Sequence, residues 1–383
     1  MIPRPHLQRK IEKSFLECPV TALLGPRQCG KTTISQMVAE NFNTLVFDLE
    51  DPADFRQLAD SPMMVLQSQT GLVIIDEVQL NPELFKVLRV LADRMEHPSK
   101  FLVLGSASPA MIRNASESLA GRIAFVDMSG FDLHEVGAQH INRLWIRGGF
   151  PRSFLSKDDQ ASFKWRQDFI RTFLERDIPQ LGISIPAQSL RKFWTMLAHY
   201  HGQIWNGSEF ARSIGVSEPT ARRYLDILSG AYVVTQVQPW HENINKRQVK
   251  SPKVYIKDTG LLHALLSLEG DAIMKHPKLG FSWEGFIVEQ LINRIGNPYF
   301  FWATHGGTEI DLLTVLEGKK TGFEIKFSDA PGITKSMIIA IQDLALEQLF
   351  VIYPGEKNYS LNEKIQVVAA RNIFTGNSPV NLM

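Results

Sequence analysis

The chain has 383 residues, with 41 Lys and Arg against 40 Asp and Glu and a net charge of +1 at pH 7. That balance excludes a global field that would hold nucleic acid or an acidic partner, and leaves such contacts to local patches. An apolar share of 44% supplies real cores, the length suits two or three domains, and no apolar run approaches the ~18–20 residues of a membrane span.

The segment Met1 to His6 has no apolar signal core. The two cysteines, Cys18 and Cys29, show no metal-ligand spacing and fit a reducing cytosol, so a cytoplasmic protein is expected. A helix is predicted over 6–17 and a buried strand over 20–24. Next come Gly25-Pro26-Arg27-Gln28-Cys29-Gly30-Lys31-Thr32, a complete G-x-x-x-x-G-K-[ST] phosphate loop, then Thr33 and a helix over 31–40. Glycines let the backbone aim its N–H groups at phosphate oxygens, and the helix N-terminus adds partial positive charge. Lys31 would reach the β- and γ-phosphates of ATP, and the Thr32 hydroxyl would hold Mg²⁺. Cys29 reads as a small loop residue or as a thiol that makes nucleotide binding oxidation-sensitive.

Further strands are predicted over 44–48, 72–75, 101–105 and 123–128, with helices over 52–59, 82–95 and 109–119. Alternating strands and helices imply a parallel sheet covered on both faces. The strand Leu72-Val73-Ile74-Ile75 ends in Asp76-Glu77, the Walker B pattern. Asp76 would hold Mg²⁺ through water, and Glu77 would polarise the water that attacks the γ-phosphate. Phe101 to Gly105 runs into Ser106-Ala107-Ser108. In P-loop ATPases with an added central strand, that strand end carries the polar sensor 1 group. Ser106 or Ser108 is placed for it, and Ser108 reads equally as a helix cap before Pro109. Arg122, just before the last strand, reads as an arginine finger acting on a neighbouring subunit's nucleotide or as a surface arginine.

Beyond residue 130, helices are expected from Ala161 to Asp177 and from Leu190 to Tyr200. Glu175, Arg176 and Asp177 read as a functional cluster or as a solvated helix end. Residues 208–228 show a helix–turn–helix pattern: Ser208 to Ile214, a turn at Gly215, a cap at Ser217, and a helix from Pro219 to Leu228. Ala221, Tyr224, Leu225 and Leu228 share its apolar face. Strands over 232–237 and 253–256 would form a wing whose tip carries Lys246, Arg247 and Lys250. With Arg222 and Arg223, these residues are the candidates for DNA contact. A packing module between domains would show the same pattern.

The last third offers a helix from Ser282 to Ile295, a strand over 298–303, and a hairpin of Glu309–Leu316 and Thr321–Phe327. A helix over 334–345 and a strand over 348–353 follow. With Gly318-Lys319 as the turn, Asp311 would sit opposite or nearly opposite Lys326, and Glu324 would share its face with Lys326, so the three converge. The layout resembles the PD-(D/E)xK nuclease fold. The resemblance implies that Glu284, Asp311 and Glu324 bind one or two Mg²⁺ and that Lys326 orients the attacking water. Ile310 stands where that fold usually has proline. A scaffold in which the charged set forms salt bridges is the other reading.

Gly25–Thr33, Leu72–Glu77, Gly105–Ser108, Ser118–Arg122 and Gly148-Gly149-Phe150-Pro151, in this order, resemble one bacterial and archaeal AAA+ family. It pairs an ATPase with a C-terminal domain of unknown function. Phe173–Ile178, Lys250–Tyr255 and Asp258–Leu262 extend the resemblance over nearly the whole chain. It implies an α/β protein: an AAA+ core over 1–130, a helical lid over 131–200, a winged helix over 201–262, and a restriction-endonuclease-like domain over 263–383. The expected function is Mg²⁺-dependent ATP hydrolysis coupled to DNA binding or processing. The alternative is a nucleotide-controlled switch or scaffold that binds protein partners, with a silent nuclease-like domain. The expected partners are ATP and ADP, DNA and a second copy of the chain, with no membrane.

Overall fold

Apolar runs bounded by turn residues form the first sheet of the structure, a computed structural model that describes residues 2–94, 99–106, 115, 117–296 and 298–374. Strands β1 (Val20–Gly25), β2 (Thr44–Asp48), β3 (Leu72–Asp76), β4 (Lys100–Ser106) and β5 (Ile123–Asp127) lie in the order β2-β3-β4-β1-β5. All their pairings are parallel. β1 and β3 are buried along their whole length, as a sheet covered on both faces requires. Alternate residues feed two cores. Ala22, Leu24, Val73 and Ile75 meet Leu58 of α3 (Pro52–Asp60) and, past the short α4 (Pro62–Leu66), Phe85 and Leu88 of α5 (Leu84–Ala92). Leu23, Ile74, Leu102 and Leu104 meet Ile11 and Phe15 of α1 (Pro5–Glu17) and Ile34 and Val38 of α2 (Lys31–Ala39). The strands and the first helices lie where the sequence pattern predicts them. The helix expected over 82–95 is shorter, and most of the one expected over 109–119 lies outside the described residues.

Two units make up the chain. One comprises Met1–Gly130 and Gly230–Tyr232, the other Phe131–Ser229 and Val233–Met383. The second unit starts with α6 (Ile141–Arg147), α7 (Asp159–Thr172) and α8 (Ala187–His199). Then come β6 (Gln203–Ile204), α9 (Gly207–Ile214), α10 (Glu218–Gly230), β7 (Val234–Val237) and β8 (Lys253–Ile256). These three strands form an antiparallel sheet in the order β6-β8-β7. After α11 (Thr259–Leu265) and α12 (Leu279–Ile295) come β9 (Tyr299–Ala303), β10 (Glu309–Leu316), β11 (Lys319–Ile325), α13 (Lys335–Leu344), β12 (Gln348–Tyr353), β13 (Tyr359–Ser360) and β14 (Ile365–Ala369). The six strands make a mixed sheet in the order β13-β14-β12-β11-β10-β9.

The structure differs from the expectations at four places. The helix expected to run to Asp177 changes at Thr172 into a π-helical turn over Phe173–Asp177, and Glu175 there pairs with Arg171 at 3.1 Å. The segment expected as a helical lid or linker lies in the second unit, where α6 and α7 pack on α11. Its buried Arg166 requires carbonyl acceptors, and it finds them on Ile146 at 3.1 Å and Gly260 at 2.9 Å. Asp258 accepts from the Gly149 N–H at 2.7 Å and caps α11 through the Leu261 N–H at 2.9 Å. The Gly148–Pro151 and Asp258–Leu262 segments are therefore two sides of one joint. α11 also runs across the boundary expected after residue 262. Finally, the β10–β11 turn is Glu317-Gly318, both with positive φ (50° and 79°), a left-handed pair that matches strand twist. Leu312 pairs with Phe323, which sets Asp311 against Glu324 rather than Lys326.

The α6–α11 contact is close enough to test. A Cβ on Gly260 would lie 2.2 Å from the Arg147 carbonyl oxygen, whereas one on Gly280 would meet nothing within 4 Å. Gly260→Ala is expected to destabilise the second unit by about 1–3 kcal/mol. Gly280→Ala, at the start of α12, is expected to be neutral or to stabilise by up to about 1 kcal/mol. All seven tryptophans lie in this unit, so the midpoint of tryptophan emission in urea separates the two outcomes.

Candidate nucleotide site and a second charged cluster

The polar residues of the first unit emerge where its strands end. After Gly25 the chain turns tightly: Gln28 has φ 64° and Gly30 φ 100°, both left-handed, before α2 begins at Lys31. Gly25 has no room for a side chain, since a Cβ would lie 2.2 Å from the Met128 carbonyl oxygen. The loop thus forms a backbone cradle against the N-terminus of a nine-residue helix, a geometry that favours anions. The buried Lys31 ammonium donates to the carbonyls of Gly25 at 3.1 Å and Pro26 at 3.0 Å. Thr33 is exposed.

Facing the loop, the Thr32 hydroxyl donates to Asp76 Oδ2 at 2.7 Å, and Asp76 Oδ1 accepts the Glu77 N–H at 2.8 Å. A hydroxyl and a carboxylate this close are hard oxygen donors of the kind Mg²⁺ takes. Glu77 itself is left-handed (φ 53°). Its carboxylate accepts from the Gln79 amide and lies 3.9 Å from the Arg27 guanidinium, which also reaches Glu50 at 3.3 Å. Burial pushes the Glu77 carboxyl up, while Lys31, the Gln79 hydrogen bond and Arg27 oppose that rise. Gln79 and Glu50 carry no motif signal and were not legible beforehand.

The remaining expected residues of this site divide. Ser106 ends β4 in register with Gly25, beside the loop, but its side chain and Ser108 lie outside the described residues. Arg122 precedes β5 at the opposite end of the sheet, since Ile123 pairs with Val20 at the start of β1. Six strand residues, about 20 Å, separate that end from the loop. There Arg122 forms a two-pronged ion pair with Asp93, with one arm at 3.0 Å. Its place and its partner remove it from the groups that act on a nucleotide held by its own loop.

In the second unit, Glu284, Asp311, Glu324 and Lys326 line one open cavity of about 540 Å³. A fifth group, unforeseen, stands among them. The Lys253 ammonium lies 2.8 Å from Glu284 Oε1 and 3.0 Å from Asp311 Oδ1, and it also pairs with Glu309. The Tyr255 hydroxyl donates to Glu284 at 2.7 Å, and the Ile325 N–H to Asp311 at 2.9 Å. Lys326 donates to Glu324 Oε1 at 2.6 Å, while the buried Glu324 Oε2 has no partner. Burial, reinforced by Asp311, pushes the Glu284 carboxyl to about 7 and the Glu324 carboxyl to about 8. Among the described residues no group of three or more His, Cys, Asp or Glu side chains is arranged to hold a metal ion.

The basic residues expected on the wing and recognition helix are partly engaged. Arg222 pairs with Asp226 at 3.2 Å, and Lys246 with Asp343 at 2.6 Å. The segment between β7 and β8 lies along β9: Trp240 N–H donates to the Phe301 carbonyl at 2.7 Å, and Val249 N–H to that of Ala303 at 3.0 Å. Its tip is therefore a sheet-edge contact rather than a free projection. Arg223, Arg247 and Lys250 are exposed.

Comparison with known proteins agrees with this division. Residues 17–137 match the family described as an AAA domain. Residues 138–272 and 279–373 match two domains of unknown function, DUF8612 and DUF4143. The chain is 48% identical to uncharacterized proteins of Mycobacterium bovis and Mycobacterium tuberculosis, over 100% of its own length and 87% of theirs. It belongs to the family of these two proteins. Among solved structures, a Walker-type ATPase of Pyrococcus abyssi is similar over 70% of this chain and 96% of its own, at 16% identity and a TM-score of 0.49. The first unit carries an AAA-type P-loop ATPase domain, a fold that binds nucleotide.

Lys31→Ala removes the ammonium that donates to the Gly25 and Pro26 carbonyls within the loop. ATP and ADP affinity is expected to fall by about 10–100-fold, measured by calorimetric titration.

Proposed function

We propose that this protein is a Mg²⁺-dependent AAA+ ATPase whose nucleotide state controls what its second unit binds. The observation that carries the reading is the Thr32–Asp76–Glu77 arrangement facing the phosphate loop. Lys31 and the backbone N–H groups of Gly25 to Thr33 hold the phosphates. Thr32 and Asp76 hold the metal ion, which neutralises charge on the phosphates when bound. Glu77 orients the attacking water and takes its proton, with Gln79 and Arg27 fixing the carboxylate's direction. Ser106, at the strand end beside the loop, is the residue proposed to sense the γ-phosphate.

For the second unit the order α8-β6-α9-α10-β7-β8 supports a winged helix, and the order α12-β9-β10-β11-α13-β12 supports a restriction-endonuclease-like core. DNA held by Arg223, Arg247 and Lys250, with the winged helix as reader, is one reading of what the nucleotide controls. A protein partner is the second. It is favoured by the ion pairs of Arg222 and Lys246, which spend two of the expected phosphate contacts inside the unit.

Steady-state ATP turnover with and without single- and double-stranded DNA tests both. Wild-type turnover is expected to exceed that of Glu77→Gln by about 10²–10⁴-fold; equal rates would sink the ATPase reading. Stimulation by DNA would select the DNA-coupled reading, and indifference the protein-partnered switch. Because a base acts only when ionised and burial raises the Glu77 carboxyl, turnover should be lost as pH is lowered, with a midpoint above the usual carboxylate range. Glu77→Gln should lack that limb in a single-turnover pH profile.

A further inference from the structure

Carboxylates gathered on a helix and a hairpin, with a lysine on the next strand, suit metal-assisted hydrolysis only if their oxygens are available to the metal ion. Here Glu284, Glu309 and Asp311 are already engaged by one lysine. An ammonium has three N–H donors, and Lys253 faces three carboxylates: Glu284, Glu309 and Asp311. Its side chain is 3% exposed and stems from β8, the central strand of its sheet, so its backbone is held on both sides. Mg²⁺ needs near-octahedral ligands at about 2.0–2.1 Å and keeps several waters. It would have to share these carboxylates with the ammonium.

We propose that the Lys253 ammonium is the resident cation of the Glu284–Glu309–Asp311 cluster, so that this cluster takes up no divalent metal ion and supports no metal-dependent cleavage. Glu324, 6% exposed, stands outside that set: one oxygen accepts from Lys326 and the other has no partner. The cluster also ties β8 to α12 and β10. Lys253 thereby serves as a positioning residue that joins the three-stranded sheet to the six-stranded one within the unit. The proposal concerns the second unit alone and stands apart from the ATPase reading.

Mn²⁺ binding to the full chain, followed by electron paramagnetic resonance, tests it. Asp76→Asn silences the nucleotide site in every sample. In that background the cluster is expected to bind no Mn²⁺, and adding Asp311→Asn should change nothing. Adding Lys253→Met instead should create one Mn²⁺ site per chain, which Asp311→Asn then abolishes. Mn²⁺ bound with Lys253 in place and lost on Asp311→Asn would overturn the proposal. So would a folded Lys253→Met chain that gains no site. If Lys253→Met does not fold, the comparison with and without Asp311→Asn decides alone.

Discussion

A parallel sheet covered on both faces leaves its polar side chains few places to emerge, and the ends of its strands are the natural exit. β1 and β3 are buried from end to end, so the first polar groups that follow them, the phosphate loop and Asp76-Glu77, appear together at the strands' C-terminal edge. β4 enters between them and brings Ser106 to the same edge, in register with Gly25. The same constraint places Arg122 at the far end, because β5 starts level with β1. Strand direction, set by the need to bury both faces, decides which charged residues can meet a nucleotide.

In the second unit the governing cost is the burial of charge. Removing one partner of a buried ion pair typically costs about 3–5 kcal/mol, whereas an exposed helical pair such as Arg222–Asp226 is worth only about 0.3–0.5 kcal/mol. By that measure Lys253, with its three carboxylates, is structural in a way Arg222 is not. Arg166 is its counterpart at the α6–α7–α11 joint. Burial holds its guanidinium down to about 10, and the carbonyls of Ile146 and Gly260 accept its protons. Both sites satisfy a charge with acceptors from distant segments, and so they hold the helices, the small sheet and the mixed sheet in one unit.

Much of this was legible in local pattern. The phosphate loop, the strand ending in Asp76-Glu77 and the alternation of strands and helices rest on residues within a few positions of one another. So do the helix and hairpin that carry Glu284, Asp311 and Glu324. The hairpin register was misjudged by two residues because the left-handed pair is Glu317-Gly318, and a glutamate with positive φ has no sequence signal. The packing of the lid segment and of the wing tip was hidden for a different reason. Each was expected from a local pattern, but each is held by partners that the pattern does not contain.

The sequence by itself determined most of where the chain is strand, helix or loop, and which residues form the tight loop between β1 and α2, because 2-residue and 3.6-residue periodicity and turn chemistry act over short stretches. Only the tertiary structure decided which charges are spent inside the fold. Lys253 meets Glu309 and Asp311 across 56 and 58 residues. No spacing along the chain encodes that meeting; it arises because two sheets are packed so that one buried ammonium meets carboxylates from a helix and a strand of the other sheet.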